Sequence, residues 1–356
     1  MKTIMKTLFV AITSFAVFSS ANAGEMTVSG SAKATWSNVS GAQAAKGFGI
    51  ANELTFGATG ELDNGYTWSV AIALDPTTSG QSSTVSGTEV PSGSAINDDT
   101  SLTLTAPGMG ILGLHVSAGG FNGKYGWAAD AYTAMSDTGF AEGQTYPGDL
   151  GSTSNIQFAT EAGLLPLGAV IQAGYGYGKK DGQSTNTQGN TGTDNMAAYG
   201  LTLKPVDGLT IGATYNTAQM YDDATVHSQE EEGGAAYAKY AVGPITVGYG
   251  KSWKAPTNGV LATTAGATTV EFYENTGVSI GYALNDQVRI SYTNEKGERN
   301  FATSATTTSD IKMTSYQIAY NIGGATLSLV RNSTDNVGFV SNVDSEETLV
   351  SLAMAF

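Results

Sequence analysis

Glu347-Thr348-Leu349-Val350-Ser351-Leu352-Ala353-Met354-Ala355-Phe356 is the stretch whose reading decides the fold. Side chains alternate between the two faces of an extended strand. Val350, Leu352, Met354 and Phe356 therefore share one bulky apolar face, while Leu349, Ser351, Ala353 and Ala355 share a mostly small one. A strand with a greasy face and a small face, finishing on an aromatic, suits a sheet with lipid on one side and water on the other. It has little use in a soluble chain.

The same alternation recurs along the sequence. In Met26–Trp36, Met26, Val28, Ala32 and Trp36 oppose Thr27, Ser29, Ser31, Lys33 and Thr35. In Tyr66–Leu74, Tyr66, Trp68, Val70, Ile72 and Leu74 are in phase, and Asp63-Asn64-Gly65 precedes them. Asn-Gly between alternating runs is the strongest short-range hairpin signal. Further short turns fall at 107–110, 165–168, 206–208, 243–244, 285–286 and 323–324. Long Ser/Thr/Asn/Gly-rich loops lie near 38–48, 76–97, 121–152, 180–194, 221–233, 255–269, 295–310 and 336–346. Seven short turns and eight long loops make fifteen connections, hence sixteen strands.

An even strand number with short turns at one end and long loops at the other defines an all-β fold, a transmembrane antiparallel β-barrel. Closure is required because lipid offers no hydrogen bonds to an open sheet edge. Trp36, Tyr66, Trp68, Tyr215, Tyr249, Tyr282, Tyr292, Tyr320 and Phe356 are expected to form its interfacial aromatic girdles. A β-solenoid or sandwich adhesin would also be rich in Gly and Thr, but would not need two alternating classes of connection.

The other end of the chain fits export. Lys2 and Lys6 precede an apolar run over Leu8–Phe18 and an Ala21-Asn22-Ala23 site, the pattern of a signal peptide spanning 1–23. The run is too short to cross ~30 Å of hydrocarbon. Residues 24–356 are then one barrel domain. That domain keeps 14 of the 16 basic residues and all 31 acidic ones, a net charge of about −17, which excludes nucleic acid as a partner and favours cations. No cysteine is present, so disulfides, thiol catalysis and Cys-based metal sites are excluded.

Enzymatic motifs are absent or misplaced. Gly108-Met109-Gly110-Ile111-Leu112-Gly113 matches a dinucleotide fingerprint, but another strand follows where a helix N-terminus is needed. His115 and His227, the only histidines, lie in no zinc-binding spacing. No nucleophile elbow is found, and nothing selects His115 as a hydrolase base. We expect no catalysed reaction and no cofactor. Asp222, Asp223, Glu230 and Glu231 could hold Ca²⁺ through carboxylate oxygens, although an acidic surface loop explains them more simply.

The closing strand resembles the C-terminal signature of Gram-negative outer-membrane proteins. The chain as a whole, through its first strand, the loop over 121–152 and its last strand, resembles the sixteen-stranded general porins of Gram-negative bacteria, in particular the alphaproteobacterial branch. The resemblance implies a homotrimer in the cell outer membrane, reached by Sec-type export through the periplasm and surrounded by lipid and lipopolysaccharide. It also implies short turns on the periplasmic side, long loops outside, and a third loop folded into the lumen as a constriction. Residues 121–152 differ from the other loops in their aromatic and alanine content, and Trp127–Met135 reads as a helix.

By the same resemblance, Asp130, Asp137, Glu142 and Asp149 are candidates for the acidic side of the constriction. Strand parity points Lys33, Lys239 and Arg289 inward as basic partners across the lumen, together with Glu53, Asp75, Glu161 and Glu295. Opposed charges across a pore select solutes by sign. General porins mass arginines on one wall; here basic residues of inward parity are few, which points to a cation-preferring pore. The expected function is passive diffusion of small hydrophilic solutes and cations through a water-filled channel. A substrate-specific channel and a non-transport surface adhesin are the alternatives.

Overall fold

A computed structural model describes residues 24–42, 44–74, 97–116, 126–132, 145–148, 150, 154–177, 193–220, 230–256, 270–301 and 308–356. The strands are β1 (Met26–Gly41), β2 (Ala45–Glu61), β3 (Thr67–Leu74), β4 (Asn97–Ala106), β5 (Gly110–Val116), β6 (Ser154–Thr160), β7 (Val170–Tyr177) and β8 (Thr193–Leu203). They continue as β9 (Leu209–Met220), β10 (Glu231–Val242), β11 (Ile245–Ala255), β12 (Val270–Ala283), β13 (Val288–Phe301), β14 (Ile311–Asn321), β15 (Ala325–Asp335) and β16 (Ser345–Ala355). Every strand pairs antiparallel with its sequence neighbours, and β16 returns to β1, so the sixteen strands close a barrel without an edge.

The closing seam is continuous from Ser31↔Ala355 to Gly41↔Ser345. Past the last paired residues, the Gly30 N–H donates to the Phe356 carbonyl at 2.8 Å and the Phe356 N–H donates back at 2.9 Å. The seven short turns lie where the sequence places them. In the first, the Tyr66 N–H donates to Asn64 Oδ1 at 3.1 Å, and Gly65 holds φ at 80°, a value that a Cβ would strain.

Alternation sorts the two faces. Val28, Phe56, Ile72, Leu102, Ile211, Val247, Ile280, Ile318 and Leu352 are exposed, and cross-strand register places them on one side of the sheet. The other side carries Ser279, Ser291, Thr293, Ser315, Ser328 and Ser351, all buried. A continuous exposed apolar band with a polar interior is the inverse of a soluble barrel, and it suits a bilayer. Trp36, Tyr215, Tyr249, Tyr282, Tyr320 and Phe356 stand exposed within the band.

Three expectations fail locally. Residues 295–301, expected to begin a long loop, extend β13, with Lys296↔Lys312 and Gly297↔Ile311 paired. Residues 38–48 are not a long loop: β1 and β2 run on to Gly41 and from Ala45, with Asn38↔Lys46 and Val39↔Ala45 paired. Polar residues on both faces made this stretch read as loop, yet the backbone ladder continues there. Trp127–Tyr132 is not helical either. Its N–H groups go to the barrel wall, where a helix would send them to its own carbonyls. Residues 133–135 of the expected helix lie outside the described residues, as do the expected signal peptide and Asp75, Asp137, Glu142, Asp149, Asp222 and Asp223.

Candidate functional site

In the connection from β5 to β6, the described residues near 126–132 lie against the inner wall of the barrel. They run across the inward faces of consecutive strands, and small side chains let them do so. Trp127 is 2% exposed. Its indole lies on Gly250 of β11 and Gly277 of β12, where an added Cβ would come within 2.3 Å of the ring, and its carbonyl lies on Gly248, 1.8 Å from such an atom. Gly281 gives the same clearance to the Ala129 carbonyl, at 2.5 Å. Three inward glycines thus form a slot for one tryptophan. The slot buries most of a large apolar surface inside an otherwise polar lumen.

Beyond the slot the wall supplies hydrogen-bond acceptors at the spacing of an extended chain. The Ala129 N–H donates to Ser279 Oγ of β12 at 2.9 Å, the Ala131 N–H to Ser291 Oγ of β13 at 2.8 Å, and the Tyr132 N–H to Gln317 Oε1 of β14 at 2.9 Å. The Tyr132 hydroxyl then reaches Ser351 Oγ of β16 at 2.8 Å. Buried backbone donors must find partners, and here the wall provides them one strand at a time.

Asp130 belongs to a closed relay. The Thr293 hydroxyl donates to Asp130 Oδ1 at 2.5 Å, so the 2.8 Å contact between Ser279 and Thr293 has Ser279 as its donor. Ser279 in turn accepts from Ala129. The chain therefore runs from the loop backbone through two wall hydroxyls to the loop carboxylate, and each bond polarises the next.

A second part of the connection returns along the wall. Asn275 Nδ2 donates to the Thr145 carbonyl at 2.9 Å, and the Tyr146 hydroxyl to Glu295 Oε1 at 2.7 Å. Leu150 is fully buried with Met196, Ala198 and Ala218, and Asn155 Nδ2 donates to its carbonyl at 3.0 Å. The inward residues of β14–β16, including Met313, Ser315, Gln317, Asn332, Glu347 and Ser351, are buried. Those of β1–β4 are not: Ser31, Lys33, Glu53 and Thr59 are exposed, and Ser69, Asp99 and Thr103 are half-buried. Water has access along this hydroxyl-rich wall.

No family model matches this chain, and no curated protein does. Solved structures do. OmpF of Salmonella typhi, in complex with daunomycin, superposes with a TM-score of 0.68 at 12% identity over 94% of this chain and 98% of that one. An anion-selective porin from Comamonas acidovorans gives 0.64 at 11% over 94% and 100%. A loop-deletion mutant of OmpT, an outer membrane protein of Vibrio cholerae, gives 0.65 at 10% over 94% and 100%. The fold is the porin fold.

Within this porin fold, the expected site residues fall into distinct settings. Lys33 and Glu53 face the open lumen from β1 and β2, and Glu53 Oε1 accepts from Thr55 at 3.1 Å. Glu295 points inward but is sealed under Tyr146 at 5% exposure. Glu161 lies just past the end of β6, exposed at the short-turn rim, where it accepts from the Gly108 N–H. Glu231 is paired with Lys254 at 2.9 Å, so a cation already occupies that carboxylate. Lys239 and Arg289 point inward as parity requires. They do not oppose Asp130 from a far wall; all three line one cavity beside the loop.

Sequence reasoning missed the residues that hold the loop: Gly248, Gly250, Gly277, Ser279, Ser291, Thr293, Gln317 and Ser351. A signal was present, since Gly248 and Gly250 precede Gly277, Ser279 and Gly281 at inward parity, and the loop holds a single tryptophan.

Proposed function

We propose that this chain is an outer-membrane porin, a water-filled channel for passive diffusion of small hydrophilic solutes and ions that prefers cations and catalyses no reaction. The observation that carries the reading is the extended segment 126–132, bonded strand by strand to the inner wall of a closed barrel, while the wall of β1–β4 stays wet. A barrel of sixteen strands is wider than its own side chains can fill. A loop fixed on one side narrows such a lumen without closing it, and 121–152 is the constriction in this reading.

Cation preference rests on charge. Acids outnumber bases about two to one, and Asp130 stands on the loop at the cavity, accepting a bond from Thr293. Asp137, Glu142 and Asp149 would add to it. Residues 1–23 serve as the export signal in this account, and the short turns face the periplasm.

Homotrimer formation is supported by the outer surface. Toward the long-loop end, the outward faces of β11–β16 carry the ion pairs Lys251–Glu274 at 2.8 Å, Lys296–Asp310 at 2.8 Å and Arg331–Glu346, which suit a lipopolysaccharide headgroup layer. Among the described residues, the outward faces of β1–β7 hold no such pair, and Trp36, Phe48, Ile50, Leu102 and Leu114 stand exposed there. An apolar sector without such pairs suits contact with other copies.

Planar-bilayer recording tests the reading. A porin gives stepwise, ohmic conductance; a protein that inserts and passes no current is not one.

A further inference from the structure

Lys239 on β10 and Arg289 on β13 make no ion pair or hydrogen bond among the described residues. Two further inward cations are engaged: Lys254 pairs with Glu231, and the Arg299 guanidinium lies 4.7 Å from the centroid of the Phe339 ring. Lys239 and Arg289 instead line the same cavity of about 310 Å³. Its position is fixed by its other walls. The loop segment Ala128–Ala131 covers one side, and Gly208 and Pro244, from two short turns, border another. The cavity therefore lies between the loop and the short-turn end of the lumen.

The cavity exists because the wall between the two cations is small. β11 and β12 separate β10 from β13, and Arg289 sits four residues along its strand from Thr293, the position level with Lys239, so the two side chains start roughly 20 Å apart along the sheet. Between them the inward positions are Thr246, Gly281 and Ala283. The loop adds alanines and Asp130. A shallow floor without bulk, flanked by a flexible ammonium and a planar guanidinium, can receive one small anion. The guanidinium fork matches a carboxylate in two parallel bonds.

Resting on the channel reading above, we propose that this cavity is a subsite for small solutes bearing a single carboxylate, gripped between Lys239 and Arg289 as they pass the loop. Asp130 sets the class further. Its carboxylate opposes a dianion in the same cavity. The subsite lies on the loop's own side of the barrel, so it acts as a local holding point and does not generate a field across the pore.

The test is single-channel recording of the purified barrel in potassium chloride, with potassium acetate exchanged for part of the chloride on each side in turn. A saturable fall in current is expected, stronger from the short-turn side, with an apparent dissociation constant about tenfold higher in the K239Q/R289Q double variant. Ala283→Glu, which places an acid on the cavity floor, should abolish the saturable component even if the double variant folds poorly. Equal block of wild type and both variants, or a fall that never saturates, would overturn the subsite. Absence of any conductance in the wild type would overturn the channel reading itself, and the subsite with it.

Discussion

The indole of Trp127 rests on Gly277, so closely that a Cβ at that glycine would stand 2.3 Å from the ring. One residue of the loop and one of the wall are thus mutually exclusive in size, and the lumen's cross-section depends on both. Gly277→Val should expel the indole from its slot, costing about 1–3 kcal/mol of overpacking if the loop tries to stay. Single-channel conductance should rise while the barrel keeps its β signal by circular dichroism. Trp127→Ala should raise conductance by the same route, without strain.

Ser279 and Ser291 hold the loop by accepting backbone protons, so their loss leaves buried N–H groups without partners. Each alanine substitution should cost about 1–3 kcal/mol locally. In S279A the amide of Ala129 should lose most of its hydrogen-exchange protection, and in S291A that of Ala131 should do the same. Unchanged protection would mean that these bonds do not anchor the segment.

Asp130 and Thr293 form the charged end of the relay. Asp130→Asn removes a negative charge from the lumen and should lower the cation-to-anion permeability ratio, most visibly at low salt where screening is weak. Thr293→Val keeps the charge but removes one hydrogen bond from the carboxylate, and should alter current noise more than the permeability ratio.

The chain contains no cysteine, so introduced thiols report without background. Thr103, half-buried on the inward face of β4, should react as Thr103→Cys with a charged thiol reagent and lower the conductance. Ser315 on β14 is 0% exposed, and Ser315→Cys should stay unreactive in the folded channel. The reverse pattern would place the water path along the other wall.

The strand framework was legible because it rests on two local signals, alternation and turn chemistry. Asp63-Asn64-Gly65 and the six later turns give the strand count, and the register at the β1–β16 seam follows from matching faces. Where polar residues occupy both faces, as at Ser37–Ser40, alternation vanishes and the strand end was misplaced. The site was less legible. Asp130 stood out as a loop acid, but its partners Ser279 and Thr293 are ordinary wall hydroxyls until a loop 150 or more positions away in sequence lies on them. Trp127–Tyr132 misled because Ala-rich aromatic sequence favours a helix in isolation, whereas here the wall outcompetes the helix for its N–H groups. Long-range complementarity of this kind leaves only a faint trace, such as the run of inward glycines at Gly248, Gly250 and Gly277.

The central claim is that residues 24–356 form a cation-preferring diffusion channel narrowed by the loop between β5 and β6. It is tested most directly by the zero-current potential across a planar bilayer bearing the purified barrel in a tenfold gradient of potassium chloride. The account predicts ohmic conductance with a potential of the sign set by potassium moving faster than chloride, reduced in Asp130→Asn. A potential of chloride sign, or a bilayer that stays insulating after insertion, would contradict it.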